Sequence, residues 1–282
     1  MPWMRRVSDT LWLGQLTPSV WVHTTTFVLD GVGYYPANGA IVIDGSESLL
    51  IDTGWSDAYA DAILAEWERL RKPPITKALV THFHGDRTGG IGALRKRGIP
   101  AFGNPLTIGL ALDAGLPAPR PLHELEKHVC RLGSVEVSYP GAGHTIDNVV
   151  AWVPRDGVLF GGCLVKSTTS PDLGNMADGD ARAYPATLRK VKGAYTPRHV
   201  IPGHGAIAGD PFSHTIALAD SAAKHPGYMD RTPLNSFALR LRRTTKICGS
   251  RAEPDSRPNC LAVIRAAVRA GGDRRRRAHS GR

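Results

Sequence analysis

The 282-residue sequence predicts an α+β fold, a four-layer αββα sandwich, and three observations carry that expectation. A series of short β-branched and aromatic stretches opens the chain and gives way to helical periodicity. The same succession of strands and then helices recurs in the second half. Residues able to bind metal stand just beyond the ends of predicted strands, so two stacked sheets with helices outside would gather them on one rim.

Residues 11–29 have the composition of early strands, clearest at 20–28. Asp30-Gly31-Val32-Gly33-Tyr34-Tyr35-Pro36-Ala37-Asn38 reads as a glycine-rich hairpin loop. Strands at 40–43 and 49–51, separated by Asp44-Gly45-Ser46-Glu47, complete an opening meander. At Ser56 the period becomes helical: Ser56 and Asp57 offer caps, Tyr59, Ile63, Leu64, Trp67 and Leu70 share a face, and Pro73-Pro74 stops it. A strand at 75–80 follows, then a helix over 88–97, a strand at 99–102 and helical residues from Asn104-Pro105. Residues 117–127 are charged and proline-rich and carry no periodic signal. Strands at 135–138, 148–153 and 157–160, a helix at 183–191, a strand at 198–201 and a helix from 212 or 213 to 224 complete the body. The domain is placed at 1–225, and the remainder, 226–282, reads as a basic and mostly disordered tail.

The chain is organised around Thr81-His82-Phe83-His84-Gly85-Asp86-Arg87-Thr88-Gly89-Gly90, which follows the apolar run Ala78-Leu79-Val80. In an extended segment residues two apart point to one side, so His82, His84 and Asp86 can converge on a metal. Three more ligand types lie beside glycine, where the backbone can turn sharply and approach closely. They are His144 in Gly141-Ala142-Gly143-His144-Thr145, Cys163 in Gly161-Gly162-Cys163-Leu164-Val165-Lys166, and His204 in Pro202-Gly203-His204-Gly205. Six ligands make two sites.

The net charge of +10 suggests nucleic acid until it is located. Residues 226–282 hold 14 Lys+Arg against 4 Asp+Glu, and residues 1–225 hold 21 of each, so the body presents no general basic face. A nucleic-acid partner is not expected, and neither is a membrane span, because no run of eighteen apolar residues occurs. Cys130, Cys163, Cys248 and Cys260 form no C-x-x-C pair, which argues against a disulfide framework or a zinc knuckle. The first residues carry charge with no long apolar stretch behind them, so no signal peptide is read there.

Thr81-His82-Phe83-His84-Gly85-Asp86, His144, Gly161-Gly162-Cys163-Leu164-Val165-Lys166, Leu173-Gly174-Asn175 and Pro202-Gly203-His204-Gly205 together resemble the metallo-β-lactamases, over roughly residues 11–225. The likeness is to the subclass with a three-histidine site beside an Asp-Cys-His site. It implies two zinc ions as cofactors, the first held by His82, His84 and His144 and the second by Asp86, Cys163 and His204. It implies hydrolysis of a small-molecule β-lactam, with Asp86 and Asn175 catalytic and Lys166 and Asn175 binding substrate. It also implies a monomer working in the periplasm, with the loop 30–38 as a flap over the site. In relatives resembling glyoxalase II the residue after the aspartate is a ligating histidine. Here it is Arg87, which stays protonated and cannot ligate, so Cys163 is the donor left for the second site. Thiolate, imidazole and carboxylate together suit zinc better than magnesium or manganese. Alternatives remain for single residues: a buried thiol for Cys163, a solvated lysine for Lys166, a turn role for Asn175, and a core position in place of a pocket wall for Trp55.

Overall fold

The computed structural model describes residues 3–29, 33–127 and 129–224. The tail expected over 226–282 lies outside them. Thirteen strands build two sheets among the described residues. The first sheet runs in chain order: β1 Met4–Arg6, β2 Leu11–Gln15, β3 Val20–Leu29, β4 Gly33–Asp44, β5 Glu47–Ile51, β6 Ile75–Leu79, β7 Ala101–Gly103 and β8 Arg120–Pro121. It is an antiparallel meander as far as β5. From β5 to β8 it is parallel, because helices α1 Asp57–Arg69, α2 Gly85–Thr88, α3 Ile91–Lys96 and α4 Pro105–Asp113 return the chain between strands. The second sheet holds β9 Val129–Leu132, β10 Val135–Ser138, β11 Val150–Val153, β12 Val158–Gly162 and β13 His199–Pro202 in the order β13-β12-β11-β10-β9. Helix α5 Tyr184–Ala194 precedes β13 and α6 Pro211–Lys224 follows it.

The alternation of side chains along each strand creates the layers. Ala40, Val42, Leu49 and Ile51 face inward and pack with Val137, Ala151, Val158 and Phe160 of the opposite sheet. The intervening Ile41 and Leu50 face outward onto Ile63, Leu64 and Trp67 of α1 and onto Ile91 and Leu94 of α3. On the far side, Val150 and Leu159 meet Tyr184, Leu188 and Val191 of α5 and Phe212 and Ala219 of α6. The order of layers is helix, sheet, sheet, helix, as the sequence predicts. Among the described residues no helix is long and apolar enough to cross a membrane.

Three expectations change. The hairpin loop read over 30–38 is mostly strand: β3 runs to Leu29, β4 starts at Gly33, and Asn38 pairs with Thr24 deep in the ladder. The helix expected over 88–97 is shorter, α3 at 91–96; Thr88 instead ends the separate short helix α2, and Gly89-Gly90 stand between the two. A Cβ at Gly89 would lie 2.4 Å from the Trp55 carbonyl oxygen, so the chain passes too close to a neighbouring loop for a side chain there. Finally, His82, His84 and Asp86 do not share one extended segment. β6 ends at Leu79, the two histidines stand in a bend, and Asp86 lies in α2, which separates the aspartate from the histidines.

One buried base makes the fold pH-sensitive. Burial lowers the pKa of His23, on β3, from 6.5 to about 4. The unfolded chain takes up this proton as pH falls through about 6.5 while the native ring stays neutral until about 4, so stability is lost on acidification across that window. The gap corresponds to about 3 kcal/mol. Glutamine does not titrate. Wild type should therefore lose about 3 kcal/mol relative to His23→Gln between about pH 7 and pH 4, read from denaturant midpoints; a pH-independent difference would contradict the assignment.

Candidate metal centre

The strand ends deliver six ligand-type side chains to one rim. His82 and His84 follow β6, His144 follows β10, Cys163 follows β12, His204 follows β13, and Asp86 sits in α2. Two backbone bonds tie the sheets together here: Val149 N donates to Thr81 O at 2.8 Å and Asn38 N to Gly203 O at 2.9 Å. The side chains form two groups, His82, His84 and His144, and Asp86, Cys163 and His204, with the ligand atoms of each group within 4.8 Å of one another. In the first group the ring centroids lie 4.8, 5.0 and 5.2 Å apart.

Hydrogen bonds from the rear of the rings select the nitrogen each one offers. His204 Nδ1 donates to the Pro36 carbonyl at 2.7 Å, which leaves the Nε2 lone pair at the second group, 3.0 Å from Cys163 Sγ. His84 Nε2 stands 3.2 Å from the Asp178 carboxylate, which leaves Nδ1 for the first group. His82 Nε2 is buried with no hydrogen-bond partner. A buried nitrogen without a partner is costly, and a cation at that point would satisfy it. Burial pushes the His82 and His144 imidazoles well below their ordinary pKa and His204 to about 3, so all three stay neutral, as ligands must.

Beneath the second group lies Arg87, fully buried. Nη1 donates to the Asn38 carbonyl at 2.6 Å and to Asp52 Oδ2 at 3.1 Å. Nη2 contacts Asp86 Oδ2 at 2.8 Å and donates to Cys163 Sγ and to the Gly203 carbonyl, each at 2.9 Å. Burial opposes the ionised form of Asp86, but the Arg87 charge beside it outweighs burial and holds the carboxyl below its usual range. Burial lifts the Cys163 thiol to about 12, partly offset by Arg87. A coordinated metal would remove that proton outright. Three nitrogens in one group, and oxygen, sulfur and nitrogen in the other, are donor sets that fit zinc, and three ligands per ion leave a coordination position open.

The remaining candidates divide. Lys166 is buried, with Nζ 3.5 Å from His144 Nδ1, and burial lowers its pKa. Asn175 is exposed, and its side-chain oxygen accepts from Ala177 N at 3.0 Å, which is the turn role. Trp55 is half-buried, with Phe27 stacked on it at 5.3 Å and Tyr35 meeting its edge at 6.2 Å. Tyr35 also lies 4.6 Å from the His204 ring. Sequence reasoning missed Asp52, Asn38 and Asp178, which touch ligands or Arg87 without being ligands. The only sequence signal for Asp52 was its place in Asp52-Thr53-Gly54 at a strand end.

The metallo-beta-lactamase superfamily model matches residues 32–222. Among characterised proteins, the metallo-beta-lactamase type 2 of Bacteroides fragilis is 35% identical over 218 residues, covering 76% of this chain and 88% of that protein. That of Bacillus cereus is 36% identical over 221 residues, covering 76% and 85%. Among solved structures, the mono-zinc form of the metallo-beta-lactamase FIM-1 from Pseudomonas aeruginosa superposes with a TM-score of 0.74 at 33% identity, covering 78% of this chain and 99% of that one. The metallo-beta-lactamase from Erythrobacter litoralis, with beta-mercaptoethanol in its active site, gives 0.73 at 33%, covering 77% and 99%. With two thirds of its length matched by the family model and both ligand groups assembled on the rim of the fold, this chain belongs to the metallo-beta-lactamase superfamily.

Proposed function

We propose that the chain is a zinc-dependent β-lactamase, hydrolysing the lactam amide of penicillin-, cephalosporin- or carbapenem-type antibiotics and so giving resistance to them. The observation that carries this reading is the pair of ligand groups, His82, His84 and His144 beside Asp86, Cys163 and His204. When bound, two zinc ions supply Lewis-acid polarisation of the carbonyl and acidification of water. Around them the chain's own residues set geometry and charge. His84 is oriented by Asp178 and His204 by the Pro36 carbonyl. Arg87 keeps Asp86 ionised. Lys166, buried beside His144, is the cation for the carboxylate next to the lactam nitrogen. Asn175 takes the carbonyl oxygen after releasing its bond to Ala177. Phe27, Tyr35 and Trp55 form an apolar wall for substrate side groups. Under this reading the protein works as a monomer in the periplasm.

The direct test is hydrolysis of a chromogenic cephalosporin by the purified protein. Turnover should vanish with a chelator and return on adding zinc; turnover that is unaffected by the chelator would overturn the reading.

Lys166 separates this substrate class from others a similar metal centre could serve. Lys166→Ala removes a charge-assisted contact worth about 1.5–3 kcal/mol, a loss of about 10- to 150-fold in kcat/KM. The loss falls mainly on KM, because the carboxylate is charged in ground and transition states alike. Esterifying the carboxylate should penalise wild type similarly and the variant little; additive losses would show that Lys166 and the carboxylate do not meet.

A further inference from the structure

His23 is buried on β3, directly opposite Gly39 of β4. Its ring occupies the space a side chain at 39 would need: a Cβ there would lie 2.1 Å from Nε2. Nε2 faces two carbonyl oxygens, Ile51 at 3.4 Å and Asp52 at 3.2 Å, while Nδ1 is buried with no partner. Two acceptors around one nitrogen assign the proton to Nε2, and the lowered pKa of the ring keeps it a neutral donor.

The residue it holds is unusual. Asp52 has φ +60, a left-handed backbone that is costly for a residue with a Cβ. Bonds fix its other polar atoms too. Asp52 N donates to Leu79 O at 2.8 Å, Oδ1 accepts from Thr81 N at 2.8 Å, and Oδ2 accepts from Thr81 Oγ1 at 2.9 Å and Arg87 Nη1 at 3.1 Å. The next residue grips the same arginine from behind: Thr53 N and Oγ1 donate to the Arg87 carbonyl at 3.1 and 2.7 Å.

We propose that His23 is a positioning residue for the Asp86, Cys163 and His204 site: its Nε2–H holds the left-handed turn at Asp52, from which Arg87 takes its orientation. The proposal rests on the reading that those three residues hold a zinc ion. Without the donor, the buried Asp52 carbonyl is unpaired and the turn is free to relax toward negative φ. The Asp52 carboxylate then leaves Nη1, and the guanidinium that contacts Asp86 and Cys163 loses its register.

The test compares His23→Gln with His23→Met. The two side chains are nearly isosteric, and only glutamine carries a donor nitrogen at the same number of bonds from Cα as Nε2. Each protein is loaded with zinc and, separately, with cobalt. Metal content under competing chelator and the thiolate-to-cobalt charge-transfer band then report the second site directly. Wild type and His23→Gln should hold two ions and show the band. His23→Met should keep the three-histidine site while binding the second ion about 10- to 100-fold more weakly. A His23→Met protein that keeps band and stoichiometry, even with a lower Tm, would reduce His23 to packing and overturn the proposal, as would equal loss in both variants. If His23→Met does not fold, nitrogen NMR of the wild-type imidazole decides: an Nε2–H tautomer is expected, and Nδ1–H overturns the proposal. A wild type that binds one ion and lacks the band would instead fail the two-site reading, and the His23 proposal with it.

Discussion

A guanidinium with no exposure to water needs acceptors around it, and Arg87 finds them for Nη1 and Nη2 in Asp52, Asp86, Cys163 and the carbonyls of Asn38 and Gly203, while Nε has no partner. Those partners come from β4, from the end of β5, from α2 and from the ends of β12 and β13, so one cation joins both sheets beneath the site. Removing one member of a buried charged network costs about 3–5 kcal/mol, because the other charges are left uncompensated. The same cation favours the anionic states of Asp86 and Cys163, the states in which they can ligate. An arginine that cannot bind metal thereby helps to build a metal site.

The sandwich explains why the other ligands arrive together. β12 and β13 are parallel, and β10 points the same way because β11 lies antiparallel between it and β12. Their carboxyl ends therefore share one edge of the second sheet. His144, Cys163 and His204 leave from that edge within a few residues. β6 brings His82 and His84 from the first sheet, and the Val149 to Thr81 bond closes the seam between the two sources. Burial then keeps the imidazoles of His82, His144 and His204 neutral.

The sequence made the layers legible because strand alternation and helical periodicity record burial, and nothing in the structure overrides them at the core. Ile41 and Leu50 turning outward between inward neighbours is the pattern itself. The six ligands were legible because their chemistry is distinctive. What escaped depends on approach between distant segments. Gly89 must lack a side chain because the Trp55 carbonyl lies close by, and Asn38 belongs to the ladder because Thr24 stands opposite. Asp52 and Asp178 resemble any surface aspartates until the fold places one under Arg87 and the other against His84. Arg87 was read for what it excludes, a histidine ligand, and not for what it holds.

Under the proposed function Asp86, Cys163 and His204 form a second metal position above a buried arginine. Anomalous diffraction at the zinc edge, from crystals grown in excess zinc with reductant present, tests this most directly. Two peaks are predicted, one enclosed by His82, His84 and His144 and the other by Asp86, Cys163 and His204. A single peak at the histidines, or a second ion bound away from Cys163, would contradict it.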